Sequence, residues 1–123
     1  MTIQSYQDLE VWQHGIQIAK ECYLLTKTFP KDELFGLTSQ IHRAAASIPA
    51  NIAEGYGRES TGDYVHFLRI AQGSLKELET HLILSREVGI LPTDRCQSLL
   101  DRTNRLGRMT YSLIRKLQAK RNP

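Results

Sequence analysis

Apolar residues recur at spacings of three and four along almost the whole chain, a period that predicts helices from end to end. The clearest run is Leu34, Leu37, Ile41, Ala45, Ile48 and Ile52, the core face of a helix that opens at Lys31 or Asp32 and closes in Gly55-Tyr56-Gly57. Ahead of it, a first helix is predicted from about Tyr6 to Thr28, with Ser5 as N-cap and Asp8 in the first turn. Its main apolar face reads as Leu9, Trp12, Ile16, Ala19 and Tyr23, with Val11, Ile18, Cys22 and Leu25 as a second line. Phe29-Pro30 ends it, because the residue before a proline is steered away from helical geometry.

A third helix is expected from about Gly62 to Val88, capped by Thr61, with Leu68, Ala71, Leu75, Leu78 and Leu82 inward. Gly73 and Ser74 would allow close approach there, and Gly89 would stop the helix. The fourth runs from a Thr93 N-cap to roughly Gln118 on the seam Cys96, Leu99, Thr103, Leu106, Thr110, Leu113 and Leu117, after which AKRNP is expected to fray. Four such helices with short turns predict an all-α protein, an up-down-up-down antiparallel four-helix bundle that forms one domain over residues 1–123.

The second helix has more than one organised side. Ala46, Ala50 and Ala53 make a stripe of small residues, and Gln40, Arg43, Ser47, Asn51, Glu54 and Arg58 make a polar one. A helix so weakly charged around its circumference is expected to touch protein on several sides, which predicts a subunit contact through Arg43, Ser47, Ala50, Asn51, Glu54 and Arg58. Pro49 removes a backbone donor inside this helix, at a cost of roughly 3 kcal/mol in an ordinary interior. Either it bends the helix around the bundle, or the freed carbonyl joins the polar stripe in a contact between subunits. Glu54 and Arg58, four apart, also suit a plain surface ion pair.

These residues carry a family resemblance. RAAASIPANIAEGYGR, followed by FLRIAQGSLKELETHL and preceded by DLEVWQ, FP and LTSQI, resembles the 23S rRNA-intervening-sequence protein family from Tyr6 to about Leu117. Relatives of that family include the accessory variability determinant protein of diversity-generating retroelements. The resemblance implies a small up-and-down bundle that assembles into a ring-like homopentamer, with a nucleic-acid-related role and no known catalytic activity.

Composition narrows the function classes. Hydrophobic residues make up 41% and charged residues 24%, and no apolar run is long enough for a membrane span. The start, MTIQSYQDLEVWQHG, lacks the basic and apolar segments of a secretory signal, so a cytoplasmic protein is expected, with Cys22 and Cys96 as buried free thiols. The formal net charge of +3 is unevenly spread. Residues 1–93 hold eight Lys and Arg against eleven Asp and Glu, a net −3, whereas residues 94–123 hold eight against two, a net +6. Arg95, Arg102, Arg105, Arg108, Arg115 and Lys116 therefore form a candidate RNA- or DNA-binding face opposite the seam, interrupted by Asp101. Without interleaved aromatic residues on that face, it is expected to follow the phosphate backbone with little sequence preference. A protein partner, such as a reverse transcriptase, is the competing reading of the same stripe.

Catalytic patterns are missing from the sequence. His14, His42, His66 and His81 have no partner at Glu-x-x-His or other ligand spacing, so neither metal nor cofactor is expected. Arg58 and His66 are separated by seven residues, too many for the Arg and His pairing of small helical RNases of the HEPN type. No nucleophile elbow or phosphate-cradling glycine loop occurs, and the expectation is a protein that is not an enzyme.

Overall fold

The computed structural model describes residues 2–121. Four long helices are present, α1 (Glu10–Thr26), α2 (Ser39–Tyr56), α3 (Thr61–Glu87) and α4 (Thr93–Arg121). Helix α1 packs on α2 and α4, and α3 packs on the same two, so with short connections the chain winds up, down, up and down around one core. Ile18, Leu25, Ile41, Ile48, Ile52, Leu68, Leu78, Leu82, Leu106 and Ile114 are fully buried at its centre. Each such side chain contributes roughly 1.5–3 kcal/mol by leaving water.

The amino-terminal helix is shorter than its periodicity suggests. Ser5 caps a 3-10 turn, Tyr6–Asp8, its hydroxyl accepting from the Gln7 amide while Asp8 reaches back to the Ser5 amide. Leu9 is then extended, and α1 begins at Glu10. Its buried line is Val11, Gly15, Ile18, Cys22 and Leu25, the one expected to be secondary; Ile16 and Tyr23 of the expected main face are exposed. Gly15 lies on that line against α2, where a Cβ would make an ordinary contact of 3.4 Å with Cβ of Pro49. Pro49 is buried, and α2 continues through it.

The expected start of the second helix at Lys31 or Asp32 is not observed. Lys31–Glu33 is a 3-10 turn and Leu34–Thr38 a π-helical turn, with Gly36 at φ −108° and ψ −112°. The Glu33 carboxylate accepts from the Leu37 amide at 3.1 Å, capping the chain where it re-enters helical geometry. This break rotates Leu34 away from the core face it was assigned to, leaving it 54% exposed and its neighbour Phe35 91% exposed. Leu37 is half-buried, and Ile41, Ala45, Ile48 and Ile52 are buried as expected.

Helix α3 keeps its predicted core face in full, but its cap is Ser60, whose hydroxyl accepts from the Asp63 amide at 3.0 Å. Of the pair expected to allow close approach, Gly73 is exposed and meets nothing, whereas Ser74 is buried and its Oγ lies 2.8 Å from Ser47 Oγ of α2. A Cβ on Gly55 would lie 2.9 Å from Cβ of Phe67 and 3.1 Å from the Tyr64 carbonyl, which makes Gly55 the crossing point of α2 and α3. Gly55→Ala is expected to lower stability by about 1–3 kcal/mol, as overpacked sites do, readable as a shift in the urea midpoint.

Helix α3 ends in a Schellman turn. The Ile90 amide donates to the Ser85 carbonyl at 2.9 Å, the Gly89 amide donates to Arg86 at 3.0 Å, and Gly89 takes a φ of 81°. The Pro92 carbonyl accepts the first bond of α4 from Cys96 at 3.0 Å, so Thr93 lies inside the helix and is not its cap. Of the AKRNP segment expected to fray, Ala119, Lys120 and Arg121 are part of α4, and Asn122 and Pro123 lie outside the described residues.

Polar groups in the core are satisfied. Thr110 Oγ1 donates to the Leu106 carbonyl at 2.8 Å, and Thr103 Oγ1 donates to the Glu79 carboxylate at 2.7 Å. Both cysteines are buried free thiols, and burial, with Glu21 beside it, pushes Cys22 up to about 12. His42 stacks on Tyr23 with ring centroids 3.9 Å apart, and its Nε2 lies 2.6 Å from Thr26 Oγ1. Burial lowers its pKa, favouring the neutral ring in that stack.

Candidate nucleic-acid interface

Arg95, Arg102, Arg105, Arg108, Arg115 and Lys116 of α4 are all exposed, as their position opposite the buried seam requires. Over the 29 residues of this helix, however, they do not form one stripe. Arg95 borders a recess with Glu21 and Leu24 of α1, Arg102 and Arg105 border another with His14, Gln17 and Ile18, and Lys116 faces Leu9, Glu10 and Val11. Arg108 instead borders a groove shared with α3, and Arg115 lies near it with its guanidinium 5.8 Å from the centroid of the Tyr111 ring. The helix thus carries cations along both of its flanks.

Pairing distinguishes these residues further. Arg102 Nη1 lies 2.6 Å from Glu21 Oε1 of α1. Among the described residues, no ion pair holds Arg95, Arg105, Arg108, Arg115 or Lys116. Asp101, the expected interruption, accepts from Gln97 Nε2 at 2.8 Å. Fixed charges with no intramolecular partner are the ones free to neutralise a polyanion.

One feature of this surface departs from the expected pattern. Tyr111 is 51% exposed and stands between Arg108 and Arg115, contrary to the expectation that no aromatic residue interrupts the cations. Counting three and four residues from Arg108 would have found it.

The polar stripe of α2 packs against α3 of the same chain along much of its length. Arg43 Nη2 donates to Glu77 Oε2 at 2.7 Å, Ser47 Oγ and Ser74 Oγ share a hydrogen bond of 2.8 Å, and Asn51 Nδ2 donates back to the Ser47 carbonyl at 2.8 Å. Glu54 and Arg58 form the i,i+4 ion pair at 3.3 Å, with the Arg58 guanidinium 4.8 Å from the centroid of the Phe67 ring. Ala46 and Ala50 remain exposed.

Fold and surface together define an antiparallel four-helix bundle with a cation-rich outer helix. The model of the 23S rRNA-intervening sequence protein family matches residues 7–112, and the chain belongs to that family. It is similar in fold to a crystal structure of a protein of unknown function from the S23 ribosomal protein family of Bacteroides thetaiotaomicron VPI-5482. That likeness has a TM-score of 0.76 at 23% sequence identity and covers 85% of this chain and 97% of the other. No functionally curated protein matches.

Proposed function

We propose that the protein is a non-enzymatic homo-oligomer, pentameric as its resemblance suggested, that holds RNA or DNA against the outer face of α4. The observation that carries this reading is the set of five exposed cations, Arg95, Arg105, Arg108, Arg115 and Lys116, for which the described residues provide no ion pair. Such charges bind phosphates chiefly by releasing condensed counterions, which requires neither a deep pocket nor base contacts. Repetition of α4 around a ring would place several such faces on one strand, so that weak contacts add through effective concentration. The exposed Ala46 and Ala50 on α2 support the assembly, since small side chains allow another backbone to approach.

Purification from cells at low salt, with and without nuclease, tests the reading. Nucleic acid is expected to accompany the untreated protein, and nuclease is expected to release whatever else comes with it. An acidic protein partner that survives nuclease treatment, with no nucleic acid recovered, would favour a scaffold that docks protein on the same face.

A further inference from the structure

Helices α3 and α4 flank a groove of about 650 Å³ that is open to solvent, bridged by a 3.5 Å hydrogen bond from Gln72 Nε2 to the Gly107 carbonyl. Its walls combine Leu75 and the Tyr111 ring with the amides of Gln72 and Asn104, and Lys76 and Arg108 are the charged groups that border it. No carboxylate lines it: the adjacent Glu79 is occupied, accepting from Thr103 and pairing with Lys76 at 3.1 Å. Gly73 and Gly107 form part of the surface, and a Cβ on either would meet nothing within 4 Å, so packing within the chain does not demand glycine at these positions. Each costs about 1 kcal/mol relative to Ala in a helix, a cost that a flat surface open to a ligand would offset. The volume falls within the usual range of small-molecule sites, about 300–1,000 Å³.

A flat apolar wall, an aromatic ring, amides and the unpaired Arg108 match one chemistry, that of a nucleotide unit. Every base has a π-face for Tyr111, amides can hydrogen-bond a base edge, and the phosphate supplies the negative charge that Arg108 and Arg115, unlike Lys76, do not find among the described residues. We propose that this groove receives a single base of a single-stranded nucleic acid, laid against Tyr111, while the flanking phosphates rest on Arg108 and Arg115. The inference rests on the nucleic-acid reading of α4 and adds to it a base contact that backbone binding alone does not need.

Fluorescence anisotropy with a short labelled oligothymidine and an abasic strand of equal length tests it. The base-bearing strand is expected to bind about tenfold more tightly, the size of one stacking contact. Tyr111→Ala, and separately Gly107→Val, are expected to erase that advantage while leaving abasic affinity unchanged, and Tyr111→Phe is expected to retain it. Circular dichroism melting confirms that each variant is folded. Equal binding of both strands by the unmodified protein overturns the groove proposal and leaves the phosphate reading of α4 standing. Absence of binding to either strand overturns both. A fall in native mass on Gly107→Val shows that the groove belongs to an interface between copies, which also overturns the proposal.

Discussion

Replacing Arg105, Arg108 and Arg115 together by Gln is expected to weaken binding of a structured RNA about a hundredfold at physiological salt. Each lost phosphate contact removes close to one unit from the slope of log affinity against log salt, and three such units near 0.15 M multiply to that order. Folding should be untouched, because all three side chains are exposed and, among the described residues, none is in an ion pair. Arg102→Gln serves as the internal comparison. Its guanidinium already lies 2.6 Å from Glu21, so its loss is expected to reduce affinity less than that of Arg108. Filter binding or anisotropy across a salt series gives both numbers, and a triple variant that binds like the unmodified protein would remove α4 from the function.

Ala50→Glu is expected to convert the oligomer to a monomer while helicity stays intact. Ala50 is exposed on the protomer, so within one chain the carboxylate points into water and costs little. Against a neighbouring subunit it would be an unpaired buried charge, which typically costs 3–5 kcal/mol, enough to weaken association by roughly two to four orders of magnitude. Light scattering reads the outcome directly. The unmodified protein is expected at five times the 14.0 kDa of one chain and the variant at one. An unchanged mass would place the alanine stripe outside any contact between copies.

The sequence carried the architecture because four apolar seams, three clear stops and one capping serine speak for themselves. Leu68, Ala71, Leu75, Leu78 and Leu82 of α3 are all buried as their spacing requires. It misled where glycine acts through what it lacks. Gly15 adds nothing to a hydrophobic count, yet it is buried beside Ile48 and Pro49 of α2 on the side of α1 that faces inward. Gly36 and the Glu33 cap interrupt an apolar period that otherwise runs straight through Leu34.

The candidate surface was half legible. All six candidate cations of α4 are exposed as expected, but spacing alone could not show that the neighbouring helices divide them between two flanks, or that Arg102 is held by Glu21. Nor can a periodic pattern tell contacts within one chain from contacts between copies. Arg43, Ser47 and Asn51 satisfy the same polar period whether their partners are Glu77 and Ser74 of α3 or a second subunit.

Salt dependence of RNA affinity probes the account at its centre, a polyanion neutralised by unpaired cations on α4. Between about 50 and 200 mM salt the association constant of the unmodified protein is expected to fall by roughly five-hundredfold, as about five phosphate contacts require. An affinity that stays constant across that range would contradict it.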